Sequence, residues 1–531
     1  MTRHEVDRAD VQALAYTAFG SLTGAAYLLL RIADPPAARR WLGAIKVTSV
    51  DDLRCRPLEA TQVAVTAAGL RALDVAEPII HRFNAEFVEG MAGNPNRSQR
   101  LGDIGSNAPD KWAWGVRDRE PHVLLMLFST PERVAGLERE QREAAEQSGL
   151  VTITVLPTSD MGGVEPFGFR DGVSQPTFDW EGVRTPGTKA DRTFTNLIAL
   201  GEILLGHYNE YGFPSESPKL PPDEPNTSVL ARDGAGTADL GRNGSYLVLR
   251  QLAQDVRGFW RWVAKEAARS GGNTQSLAES MVGRRMDGAP LADFETRLAL
   301  PGVDPHIRAR NGFVFDADPD GLSCPIGAHI RRANPRTGDV PAGVDGPIDN
   351  LLVTLGLTAR RLRTPTSSTL PWEKNTTVWP YFRREDDAIA SARFHRVLRR
   401  GREYGRKIDR EVALDPATPD PKAGLHFICL NANIARQFEF VQGAWLANSK
   451  FGSLTGEQDP LLGNREPFPV PPVTAVPQRT DSFTRLGAEP RLRRASGVPQ
   501  FVTVKGGAYF FLPGLSALRW IASARDVSKD G

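Results

Sequence analysis

Cysteine is scarce in this chain, with Cys55, Cys324 and Cys429 the three in 531 residues. They are too few and too scattered for a disulfide framework or a thiolate zinc site, which fits a reducing compartment. Net charge is nearly absent as well: 65 Lys and Arg against 63 Asp and Glu leave +2. A global polyelectrolyte partner such as nucleic acid is therefore not expected. Arginine doublets such as Arg331-Arg332 and Arg399-Arg400 read either as solvated faces or as local anion sites. A clean membrane-spanning run is also missing. Val11 to Leu30 is uncharged, but Gln12, Thr17, Gly20, Ser21, Thr23 and Gly24 dilute it too far to span a bilayer. Met1 to Asp10 mixes acids and bases, unlike the start of a signal peptide, and carries no twin arginine. The expectation is a cytoplasmic protein with no membrane partner.

The length favours two domains, and 50 Gly with 40 Pro imply long loops. Ala25 to Ile32 reads as a strand, and Asp34-Pro35-Pro36 opens a helix through Ile45, proline being tolerated in the first turn. Gln62 to Thr66 is a second strand, followed by a helix from Ala67. His122 to Phe128, a polar helix over Pro131 to Gln147 and an alternating strand over Val151 to Leu156 complete a split βαβ pattern. After a Gly/Pro/Asp-rich junction at Pro214 to Arg242 the pattern restarts. Ser245 to Gln251 is a strand, Gly258 to Ser270 a helix with a core-type aromatic stripe, and Leu425 to Leu430 a strand leading into a helix to about Asn448. Two further strands follow at Phe501 to Val504 and Ala508 to Leu512. The predicted fold is α+β: two ferredoxin-like (split βαβ) domains with antiparallel sheets, over residues 10–230 and 240–525.

Glu165 to Pro176, EPFGFRDGVSQP, is the densest stretch of chemistry. Gly168 and Gly172 permit positive φ and a close approach of the backbone to a flat ligand or another segment. Between them Asp171 is a carboxylate able to take and return a proton; an Asx-stabilised surface turn is the plainer reading. Gly168-Phe169-Arg170-Asp171-Gly172, running on through Val173-Ser174-Gln175-Pro176, resembles the signature of the dye-decolorising (DyP-type) haem peroxidases.

Three later segments, in the same order as in that family, extend the resemblance over most of Ala25 to Leu512. Cys324-Pro325-Ile326-Gly327-Ala328-His329-Ile330-Arg331 is similar to the family's proximal-histidine segment. The resemblance implies His329 as the ligand of haem iron, with small residues at 327 and 328 near the porphyrin and Arg331 reaching a propionate. His395 to Gly405 resembles the distal-arginine segment and places Arg399 on the catalytic position, with Arg400 the alternative that the doublet leaves open. Arg402-Glu403 departs from the commoner family form, which bears on the shape of that loop. Gly424-Leu425-His426-Phe427-Ile428 is similar to the strand that walls the distal pocket. Leu425 and Phe427 would face the cavity and His426 would point away. Glu439 is a candidate partner for the proximal imidazole, or a surface glutamate.

The resemblance implies one haem b per chain, in a pocket of the second domain facing the first. It implies a peroxidase that reduces hydrogen peroxide with Asp171 as proton carrier and Arg399 as charge stabiliser, and oxidises phenols, dyes or other small-molecule donors. Activity should favour mildly acidic pH. Tyr404 and the group Trp372, Trp379 and Tyr381 are either packing residues or surface oxidation sites. Two other readings remain at this level: a haem-binding, storage or delivery protein with little turnover, and a haem-free scaffold on the same fold. An oligomer is compatible with the sequence.

Overall fold

The computed structural model describes residues 6–183, 197–291, 310–315, 318–336, 392–415, 417–466, 480–486 and 492–523. Trp372, Trp379 and Tyr381 lie outside these residues, as do His4 and His306.

Strand β1 (Gly24–Ile32) leads into helix α1 (Pro35–Ala44), whose N-terminus is capped by the Asp34 carboxylate accepting from the Ala37 amide at 3.1 Å. Strand β2 (Ala60–Val65) and helix α2 (Ala67–Ala72) follow, then β3 (Val123–Ser129), helix α3 (Val134–Gln147) and β4 (Leu150–Pro157). The second half repeats the plan. It runs β5 (Ser245–Gln254), α4 (Val256–Arg269), α5 (Thr274–Val282), the short α6 (His329–Ala333), β6 (Leu398–Arg399), β7 (Arg402–Tyr404), β8 (Ala423–Asn431), a π-helical stretch over Ala435–Glu439 and Val441–Leu446, β9 (Val502–Leu512) and α7 (Leu515–Ser523).

Among the described residues these nine strands form one sheet, ordered β4-β1-β3-β2-β9-β5-β8-β6 with β7 also on β8, beside two small two-stranded sheets. Each half has the spatial order of a ferredoxin-like unit, and every pairing in the large sheet is antiparallel. The halves are joined where β9 meets β2 at Phe511 and Val65. Period two sends Leu28 and Leu30 to a core that the helices cover, and Tyr27 and Leu29 to a second core on the other face. Val11, Leu14, Phe19 and Leu22 pack into this second core, so the uncharged N-terminal run is spent on burial. Among the described residues, no helix is long and apolar enough to cross a membrane.

One expectation is corrected here. Val502 to Val504 and Ala508 to Leu512 belong to a single strand, β9, which begins one residue after Phe501 and has a bulge between Val504 and Gly506. Glycine at 506 lets the Trp114 indole lie on the strand, for an added Cβ would fall onto its ring. The glycines therefore kink the strand without ending it.

Backbone contact also sets the packing of α2. Gly69 lies against the His122 carbonyl, onto which an added Cβ would fall. Alanine would gain up to about 1 kcal/mol of helix propensity. Overpacking against a carbonyl fixed by its bond to the Thr66 amide costs about 1–3 kcal/mol. Gly69→Ala is therefore expected to lower the melting temperature.

Candidate active site

A cavity opens on the second half of the sheet. Its floor is Leu252 of β5, Leu425 and Phe427 of β8, and Val502 and Val504 of β9. Glu165 to Pro176, from the first half of the chain, closes it on one side and His329 on α6 lies in its wall. That turn is a miniature hairpin: Val164 bridges Arg170, the Gly168 amide donates to the Glu165 carbonyl at 2.7 Å, and the Asp171 amide donates to Gly163 at 3.1 Å. Gly168 and Gly172 have φ of +98° and +75°. Neither lines the cavity. An added Cβ at 168 would lie 3.0 Å from the Met286 methyl, and one at 172 would meet nothing within 4 Å. These glycines shape the turn, a correction to the expectation that they touch a cofactor.

Asp171 and Arg399, 228 residues apart, meet in the cavity with Arg399 Nη1 3.0 Å from Asp171 Oδ1. The Gly172 amide donates to the same oxygen at 2.6 Å, so among the described residues Oδ2 is uncommitted. Gln175 secures the encounter. Its side-chain oxygen accepts from the Arg399 amide at 3.1 Å and its nitrogen donates to the Arg399 carbonyl at 3.2 Å, as a neighbouring strand would. Alternation along the chain turns Arg400 away, where its Nε donates to the Leu14 carbonyl at 2.7 Å. Burial pushes the Asp171 carboxyl up, but the Arg399 charge and the bonds from Gly172 and Arg399 outweigh it and hold the group below its ordinary range. Two more carboxylates are near. Glu165 lines the cavity, and Glu403 sits opposite Leu425 in the β7–β8 register. Burial raises each to about 7, with the Asp171 charge adding to the effect.

His329 Nδ1 lies 2.9 Å from Asp459 Oδ2. Asp459 is fully buried and spends Oδ1 on the amides of Leu461 and Leu462, at 2.9 and 2.8 Å. Burial would lower the imidazole pKa, but the Asp459 charge and hydrogen bond overcome it and raise it. With the Nδ1 proton committed to Asp459, the lone pair resides on Nε2. Sequence reasoning named Glu439 for this place, and the structure corrects it. Glu439 lies on the other side of its helix, taking Arg97 at 2.7 Å and the Tyr509 hydroxyl at 2.9 Å. The Asx turn at Asp459-Pro460 was the available signal, although nothing in it points to His329.

Arg331 is the second correction. It is fully buried and donates to the carbonyls of Asp318 (2.9 Å) and Cys324 (2.8 Å), with its guanidinium 4.4 Å from the centre of the Phe315 ring. Residues two apart on a helix face different ways, so with His329 toward the cavity it is Ala333 that shares the face. The arginines that line the cavity beside Arg399 include Arg284 and Arg396, each lowered to about 10 by burial and by neighbouring guanidinium charge. Gly327, too, packs elsewhere, with its Cβ position 3.2 Å from Leu454. His426 points away from the cavity, its Nε2 3.1 Å from the Pro157 carbonyl, and stacks on Tyr404 at 4.5 Å. Arg402 leaves the cavity too, donating to carbonyls at Ala18, Phe19, Leu22 and Thr23.

Comparison with known proteins agrees with this architecture. No family model matches the chain. It is 29% identical over 475 residues to a multifunctional dye peroxidase of Amycolatopsis, covering 86% of this chain and 81% of that one. The fold superposes on a DyP-type peroxidase of the fungus Auricularia auricula-judae with a TM-score of 0.67 at 22% identity, covering 98% of this chain and 100% of that one. A dye-decolorising peroxidase solved with 2,6-dimethoxyphenol gives 0.64 at 21% identity, with 98% and 100% covered. The chain thus has the fold of the DyP-type peroxidases, two ferredoxin-like units. In sequence it is similar to the dye-decolorising peroxidases.

Proposed function

We propose that the chain is a haem-dependent peroxidase that reduces hydrogen peroxide and oxidises phenolic or dye-like one-electron donors. The observation that carries this reading is the convergence of the Asp171–Arg399 pair and the Asp459-braced His329 on one apolar cavity. The donor set fits haem b. His329 has a lone pair on Nε2 for iron, Leu425, Phe427 and Phe438 offer apolar walls, and Arg284 and Arg396 bring cations for the propionates. Haem bound there would supply the redox iron that exchanges electrons with peroxide and donor.

The chain's own residues handle protons and charge. Asp171 is ionised over the mildly acidic range and accepts a proton from one peroxide oxygen through Oδ2. It returns that proton to the other oxygen, which leaves as water. The Arg399 guanidinium, held by its backbone to Gln175, stabilises the negative charge that builds on the departing oxygen. The phenol bound by a structural relative supports phenolic donors here.

The test is an absorption spectrum of the haem-reconstituted protein before and after one equivalent of peroxide. A Soret band that shifts with peroxide, and fails to shift in the Asp171→Asn, Arg399→Leu double variant, supports the reading. A Soret band indifferent to peroxide favours a haem carrier, and no Soret band overturns both.

A further inference from the structure

Glu165 has no part in the proton chemistry above, yet its carboxylate is the most heavily engaged in the cavity wall. Oε2 accepts from the Phe167 amide at 3.0 Å and from Gln254 Nε2 at 2.7 Å, and Oε1 accepts from the Phe169 amide at 3.0 Å. The first and third bonds close the inside of the miniature hairpin. The second ties the hairpin to the end of β5, the strand that also carries Leu252 into the cavity floor. Asp171 follows two residues after the last clamped amide; the Arg170 amide between them donates to the Met286 carbonyl at 3.0 Å, and the Asp171 amide donates to the Gly163 carbonyl at 3.1 Å across the same hairpin.

We propose that Glu165 is the positioning residue for Asp171: by clamping the hairpin on itself and onto β5, it sets the Asp171 carboxylate at the reach of Arg399. The inference rests on the peroxidase reading above. Gln254 suits the role in either protonation state of its partner. Its Nε2 donates to the carboxylate, and its Oε1, buried and without a hydrogen bond among the described residues, would accept from the carboxylic acid if the amide turned over. The clamp therefore persists though burial brings the Glu165 carboxyl up to about 7. Two aromatic anchors add to it. Phe167 packs against Phe259 of α4 with ring centres 4.5 Å apart, and Phe169 is buried beside it. These hold the hairpin down but fix no direction, whereas the three hydrogen bonds do.

The test is a double-mutant cycle on the haem-reconstituted full chain, read as the second-order rate of the peroxide-induced Soret change. Glu165→Gln keeps the shape but sets an NH2 group against a backbone N–H. In the native background it is expected to slow the peroxide step on the order of 10²-fold, the scale of an ångström-sized misplacement. In the Asp171→Asn background it should change the rate by less than about 3-fold, since there is no carboxylate left to position. Should Glu165→Gln fail to fold or to take up haem, Gln254→Leu, which removes only the tie to β5, is put through the same cycle with the same sign expected. Equal losses in both backgrounds, or no loss in the native one, overturn the inference while leaving the peroxidase reading intact. A native chain that binds haem but does not react with peroxide overturns that reading first, and this one with it.

Discussion

Replacing Asp171 with asparagine is expected to slow the reaction with hydrogen peroxide by about 10²–10⁴-fold, the span of a positioned acid–base group. The isosteric amide keeps a carbonyl oxygen for Arg399 and the Gly172 amide, so the cavity stays built while the proton acceptor is lost. The effect belongs in the peroxide step and not in the donor step; stopped-flow measurement of each separates them. Arg399→Leu should add a different signature. Arg399 is the main influence opposing burial at Asp171, so without it the carboxyl rises. A group with a higher pKa loses its proton only at higher pH, and the acid limb of the rate profile must move up. In the native chain that limb lies below the ordinary carboxylate range. On the alkaline side, Glu165 and Glu403 ionise near pH 7 and place negative charge beside Asp171. This opposes deprotonation of peroxide, and the rate should fall above about pH 7. A maximum at alkaline pH would count against Asp171 as the proton carrier.

The sequence carries the first unit of the fold almost completely, because each element has a local signal. Short apolar runs mark β1 and β3, alternation marks β4, and Asp34-Pro35-Pro36 marks the start of α1. The second unit is less legible. Its strands β6 and β7 are two and three residues long and read from sequence as a loop bearing an arginine. The fusion of the two sheets rests on the single β2–β9 pairing at Val65 and Phe511, for which no pattern in either strand speaks. In the cavity, Asp171, His329 and Arg399 stand out because each lies in a distinctive string. The residues that orient them do not. Asp459 is 130 residues from His329, and Gln175 and Glu165 look like ordinary turn residues until the partner strand is in view. Arg331 leaves the cavity for a geometrical reason: two residues on from His329, it lies on the opposite face of the helix.

Removing the His329 imidazole should have the largest effect on cofactor uptake. His329→Ala takes away a ring nitrogen whose lone pair, left on Nε2 by the Asp459 bond to Nδ1, is available to iron. Apolar walls and arginines alone would leave haem loosely held, and the Soret band at one equivalent of haem should be weak and ligand-dependent. Asp459→Asn isolates the brace from the ligand. The amide oxygen still accepts the Leu461 and Leu462 amides, which belong to the cavity wall, but the buried negative charge beside the imidazole is gone. Loss of such a partner typically costs 10–100-fold in affinity or activity, so about that loss of haem affinity is expected in a transfer assay to a competing apoprotein. A less electron-rich imidazole also favours the reduced iron, and the midpoint potential should rise. Glu439→Gln is the discriminating control. If its carboxylate braced the imidazole, the potential would move with it. With Glu439 bound instead to Arg97 and Tyr509, the potential should stay where it is while that of Asp459→Asn shifts.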